Sequence, residues 1–110
     1  MTEMTDQERV YPRKPFRCRA TISIENNPPV ELWTVDISLG GISLMLDKQI
    51  NSGQYGVVKF DALINGISHP FSAIVKTVYG VRNSAGEYRT GFQFFELSAA
   101  NAAIINGLSG

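Results

Sequence analysis

From Arg17 onward, apolar and polar residues alternate with a period of two. Cys18, Ala20, Ile22 and Ile24 fall on one face and Arg17, Arg19, Thr21 and Ser23 on the other, the pattern of a strand half buried against a core. Asn26-Asn27-Pro28-Pro29 interrupts this run with turn chemistry. Val30 to Ile37 reads as a second strand. Gly40-Gly41 separates it from a third, on which Ile42, Leu44 and Leu46 share one face. After a turn at Asn51-Ser52-Gly53, Val58, Phe60, Ala62 and Ile64 alternate with Val57, Lys59, Asp61 and Leu63. Asn65-Gly66 follows, the strongest short hairpin signal in the chain. Its partner strand runs from about Ile67 to Tyr79, with Pro70 marking an edge or a bulge near the start. A polar loop, Arg82 to Gly86, leads to a last strand, Tyr88 to Phe95, with Phe92 and Phe94 facing inward. Ser98 has the chemistry of an N-cap for an Ala-rich helix over Ala99 to Asn106 that Gly107 stops.

Six short strands joined by tight turns, followed by one helix, predict a mainly all-β fold: a six-stranded antiparallel β-barrel with a short C-terminal α-helix. Residues 1–16 read differently. Thr, Asp, Gln and Glu dominate their start, and Pro12 and Pro15 fix φ and remove backbone donors, so a flexible N-terminal arm without regular structure is expected. The organisation is therefore an arm over 1–16 and a barrel with its helix over 17–110, one domain in all. At 110 residues the chain can bury one core without staples.

Composition narrows the function classes. Ten Lys plus Arg balance ten Asp plus Glu. Net neutrality disfavours a general nucleic-acid binder, whose affinity rests on excess positive charge over a whole face. One cysteine and one histidine exclude an internal disulfide, a cysteine-based zinc site and a multi-histidine metal site. No apolar run approaches the ~20 residues that span a bilayer, and Met1 to Arg9 is polar, so a cytoplasmic address without a membrane span is expected. The neutrality hides an asymmetry: Arg9, Arg13, Lys14, Arg17 and Arg19 place five of the ten basic residues within eleven positions. A local cluster of this kind suits a small anion better than a polyanion.

Enzyme constellations are mostly absent. Ser38 lies in Asp36-Ile37-Ser38-Leu39-Gly40-Gly41, which lacks the nucleophile elbow, and Gly40-Gly41 precedes a strand where a phosphate loop would precede a helix. His69 sits mid-strand beside Pro70, and Cys18 reads as a small core hydrophobe. Two features remain. Arg9-Val10-Tyr11-Pro12-Arg13 sets two arginines four apart on the arm, and taken alone it also reads as a solvated basic tail. Asp36-x-Ser38-x-x-Gly41 puts an acid, a hydroxyl and a glycine where one strand turns into the next, and taken alone it also reads as hairpin chemistry.

In this order and spacing the two features resemble the PilZ domain family of bacterial cyclic di-GMP receptors. Lys14-Pro15-Phe16, Val35 to Ile42 and Gly91-Phe92-Gln93-Phe94 extend the resemblance over about residues 8 to 106. Arg13-Lys14-Pro15-Phe16-Arg17 also satisfies the first pattern, but Arg17 already belongs to the strand alternation, so Arg9 and Arg13 are preferred. The resemblance implies a non-enzymatic receptor for cyclic di-GMP, with Arg9, Arg13, Asp36, Ser38, Gly40 and Gly41 at the ligand and Lys14 as an additional candidate. It implies no metal or resident cofactor, and an unidentified protein partner downstream.

The chemistry fits the ligand. Arginine pairs bidentately with phosphate or with the O6/N7 edge of guanine and stacks on a purine face. A carboxylate accepts from guanine N1–H and N2–H₂, which arginine cannot do. Ser38 offers a hydroxyl, and Gly40 and Gly41 leave room for close approach. An arm carrying two arginines that folds over its ligand would make an order-on-binding switch. The alternative is an adaptor of the same fold with weak or no nucleotide binding, using exposed Trp33 or Tyr79 for protein contact. A flavin binder or small-barrel enzyme lacks its acid/base pairs, and a single-strand nucleic-acid binder lacks the interleaved aromatic and basic residues.

Overall fold

A computed structural model describes residues 11–108. Seven strands and one helix follow in order: β1 (Lys14–Pro15), β2 (Arg19–Ile24), β3 (Val30–Ile37), β4 (Gly41–Leu46), β5 (Tyr55–Ile64), β6 (Ile67–Arg82), β7 (Tyr88–Phe94) and α1 (Ala99–Gly107). Strands β3, β2, β5, β6, β7 and β4 neighbour one another in that order, and β4 pairs back onto β3, which closes a six-stranded antiparallel barrel. The expected barrel and terminal helix are both present.

The barrel forms because alternate residues have only one apolar place to go. Ile22, Ile37, Ile42, Leu44, Val58, Phe71, Val75 and Phe92 are almost completely buried, while the intervening positions are largely polar. Phe60 stacks on Phe71 with ring centroids 4.5 Å apart, and Phe94 tilts against Phe71 at 5.8 Å. The β5–β6 hairpin turns on Asn65 and Gly66, both at positive φ (53° and 79°), the conformation for which this pair is selected. Pro70 pairs with Asp61 of β5 in the part of β6 that precedes the β7 pairing, where a missing N–H costs no ladder bond on the second side. There Asn101 of α1 donates its amide to the Ser72 carbonyl at 2.9 Å. Ser98 caps the helix as expected, accepting from Asn101 N, and Ile105 and Leu108 enter the core.

One element was not expected. Lys14–Pro15 form the short β1, antiparallel to Asp36 and Ile37 of β3. Its anchor is Phe16, whose ring lies 5.2 Å from Phe60 and packs against the core. Between β1 and β2 the ladder is interrupted, and buried Thr34 bridges the gap: its hydroxyl accepts from Cys18 N at 2.9 Å and donates to the Phe16 carbonyl. The strand expected from Arg17 therefore begins at Arg19. Arg17 and Arg19 stack on Trp33, at 4.2 and 5.1 Å from its ring centroid. Cys18 is half-buried against the core, and burial raises its thiol pKa, which suits a packing residue and not a reactive thiolate.

Candidate functional site

Two interruptions of the alternation create the site. In β3, Leu32 and Thr34 point inward, but the pairing with β4 skips Val35, so Asp36 faces outward and Ile37 returns to the core. In β6, Phe71, Ala73, Val75 and Thr77 point inward until the pairing with β7 skips Val78, which turns Tyr79 outward. Each skipped valine is a β-bulge, and each re-aims the next side chain. The register then aligns Asp36 with Ser43, Ser43 with Gly91, and Gly91 with Tyr79. These four residues form one row across the outer face of β3, β4, β7 and β6.

Glycine in that row is a steric requirement. A Cβ at Gly91 would fall inside the ring of Tyr79, so the tyrosine can lie across β7 only over a glycine. Its hydroxyl then reaches Ser43 Oγ at 3.5 Å. Gly41 serves a second close approach, because a Cβ there would collide with the Phe92 carbonyl of the neighbouring strand.

Over this row lies Arg13. Its Nη1 donates to Asp36 Oδ1 at 2.8 Å and to Ser43 Oγ at 3.4 Å. From the other side Arg89 Nη2 donates to Asp36 Oδ2, also at 2.8 Å. One carboxylate, 13% exposed, thus holds two guanidiniums that are 29% and 44% exposed. The bond to Asp36 raises the Arg89 pKa, so this side chain stays charged. Beside the row is a small hollow lined by Tyr11, Arg13, Ser38, Gly40, Gly41 and Tyr79, among others.

The expected site residues fare differently. Asp36 and Arg13 meet directly although 23 positions separate them in the chain. Ser38 is buried at the edge of the hollow, and its Oγ accepts from Gly40 N at 3.1 Å and Gly41 N at 3.3 Å, so the hydroxyl shapes the turn. Gly40 and Gly41 line the hollow. Lys14 is not gathered with Arg13: its ammonium donates to the Ile105 and Leu108 carbonyls at 3.0 Å each, completing the C-terminal end of α1. Arg9 lies outside the described residues. Two members of the site, Ser43 and Arg89, belong to no motif of the sequence, whereas Gly91 opens the Gly91–Phe94 stretch that shares in the family resemblance and Tyr79 carries only the signal of an exposed contact residue. An outward position on the last strand, two before Gly91, is the one sequence signal that Arg89 carries.

This geometry can be set beside known proteins. A family model described as PilZ domain matches residues 7–109. The chain belongs to the PilZ domain family. Three solved structures share its fold. The inhibitor of motility MotI/DgrA of Bacillus subtilis superposes with a TM-score of 0.77 at 15% identity, over 87% of this chain and 47% of that one. The present chain therefore spans about half the length of MotI. The PilZ domain of CeSA from a cellulose-synthesizing bacterium gives 0.59 at 12% identity, over 86% of this chain and 90% of that one. The PilZ domain of YcgR from Escherichia coli, solved with c-di-GMP, gives 0.63 at 14% identity, over 87% and 84%. No curated protein matches by sequence. At these identities the structural likeness speaks for the fold. Among the described residues no cluster of metal-ligating side chains occurs, and no helix is long and apolar enough to cross a membrane.

Proposed function

We propose that this PilZ domain is a cyclic di-GMP receptor that binds the nucleotide between its N-terminal arm and the outer face around Asp36. One observation carries the reading: the arm arginine and the strand acid of the two family motifs converge at 2.8 Å on a bulged, glycine-floored surface. The YcgR domain of the same fold, solved with c-di-GMP, supports it. In this reading Arg13 and Arg9 grip phosphate and guanine, and Asp36 accepts from the guanine N1–H and N2–H₂ edge. Gly40 and Gly41 leave the base room, and Ser38 holds their turn in shape. Tyr79, flat over Gly91, offers a ring on which a purine can stack.

Binding must loosen the Arg13–Asp36 pair so that both partners turn to the ligand. The signal is then the rearrangement of the arm, passed to a protein partner. The domain performs no chemistry on the nucleotide and acts in the cytoplasm, where the second messenger is found. The adaptor alternative draws on exposed Tyr55, Ile74 and Phe95, of which Tyr55 and Phe95 pack edge to face at 5.7 Å. Calorimetric titration with cyclic di-GMP, using GTP and cyclic GMP as controls, tests the reading. Saturable binding of the cyclic dinucleotide alone is expected, with amide exchange slowing from about Glu8 to Phe16. A flat titration would refute the receptor and leave the adaptor.

A further inference from the structure

Among the described residues, Arg89 is held in the site by a single bond to protein. Among the described residues, Nη2 alone has a partner, Asp36 Oδ2. Its Nε is buried and has none, the one buried side-chain nitrogen or oxygen so placed among the described residues. A buried N–H without an acceptor is unfavourable, and such a group in a native fold calls for a partner that completes it. Charge points the same way. Arg13 and Arg89 bring two positive charges to the one negative charge of Asp36, and the neighbouring Ser43 and Tyr79 are hydroxyls. Neither arginine has a second carboxylate within ion-pair distance among the described residues. Among the described residues, the cluster lacks one oxyanion. A guanidinium already fixed at one corner presents its remaining donors with little freedom left to lose.

We propose that Arg89 is a further ligand-binding arginine, engaging a phosphoryl oxygen of the bound dinucleotide through the exposed edge of its guanidinium while Asp36 retains Nη2. This rests on the receptor reading above and adds to it a contact from the last strand, outside both motifs. It makes the site a three-element grip: the arm gives Arg13, β3 gives Asp36 and β7 gives Arg89. Because β7 is a barrel strand, Arg89 stays in place whatever the arm does, and it supplies the anion with a first foothold before Arg13 turns over.

The test uses the full chain with Arg89→Ala, Arg89→Lys, Asp36→Asn and the Asp36→Asn/Arg89→Ala double variant, each titrated with cyclic di-GMP. Arg89→Ala should weaken binding about ten- to a hundredfold, the range of a lost charge-assisted hydrogen bond. Arg89→Lys should recover only part of it, since an ammonium cannot bond Asp36 and a phosphate in the same fork. The Arg89→Ala loss should persist in the Asp36→Asn background. Unchanged affinity in Arg89→Ala overturns the proposal, and so does a loss that vanishes once Asp36 is replaced, which would mean that Arg89 only positions the acid. In parallel, the Arg89 Nε–H cross-peak of the parent is followed by NMR with cyclic di-GMP and with inorganic pyrophosphate. It should move with both. A parent that ignores the nucleotide but shifts this cross-peak with pyrophosphate refutes the receptor and keeps Arg89 as an anion site. No shift with either ligand refutes Arg89.

Discussion

Replacing Asp36 by asparagine separates what this carboxylate does for the fold from what it does for a ligand. The side chain keeps its shape and loses its charge, so the two bonds of 2.8 Å from Arg13 and Arg89 each lose an ionic component. Both arginines are partly exposed and recover water when released. Each pair therefore contributes closer to ~0.5–1 kcal/mol than to a buried-pair value. Together they come to roughly 1–2 kcal/mol, or about 4–8 °C in melting temperature for a domain of this size. The effect on recognition should be larger and of another kind. Asparagine turns one acceptor into a donor and sets it against the donors of guanine N1 and N2. Cyclic di-GMP should then bind about ten- to a hundredfold more weakly, the range for a lost charge-assisted bond. A cyclic dinucleotide carrying adenine has no such donor pair and should change little. Thermal melting and titration with both nucleotides on one preparation give the answer. A variant that melts lower yet keeps its full preference for guanine would refute the reasoning and reduce Asp36 to a clamp for two arginines.

Further outcomes follow from the same geometry. Arg13→Ala should weaken cyclic di-GMP binding by about ten- to a hundredfold by titration, with melting without ligand lowered by no more than the exposed pair contributes, under about 1 kcal/mol. Gly91→Ala should drive the Tyr79 ring off β7, seen as a change in tyrosine near-ultraviolet circular dichroism, and should lower nucleotide affinity although no charged group is touched. Lys14→Met removes the donor to the Ile105 and Leu108 carbonyls and should cost about 1 kcal/mol in urea unfolding, with affinity of the folded protein unchanged. Burial raises the Cys18 pKa, so the folded state holds this proton more tightly than the unfolded chain. The resulting stability is present below the unfolded thiol pKa and is lost as pH rises through the folded one; slow alkylation at neutral pH and a melting temperature that falls in alkali, less so in Cys18→Ala, would show it.

The strands were legible because their cause is local. Val58, Phe60 and Ala62 alternate with Lys59 and Asp61 in the sequence as they do about the core, and Asn65-Gly66 carries its turn in its own backbone preference. The motifs were legible as motifs. What joins them was not. The row Asp36–Ser43–Gly91–Tyr79 depends on skipping Val35 and Val78, and nothing in the identity of a valine marks it as the extra residue of a bulge. An unbroken period of two from Leu32 would point Asp36 inward, and one from Phe71 would do the same to Tyr79. Arg89 was hidden for the same reason, since its partner is set by strand order and lies 53 residues away. Lys14 illustrates the opposite error of proximity: next to Arg13 in sequence, it is claimed by the end of a helix 91 residues later.

The anchoring of Phe16 and the Thr34 bridge behind it fix the length of a tether. Arg13 stands three residues before Phe16, so its Cα can lie no farther than about 10 Å from that anchor. Arg13 is kept on station over Asp36, so gripping a ligand would cost it little freedom. A nucleotide gripped by Arg13 would have to sit close to the barrel wall that Phe16 seals.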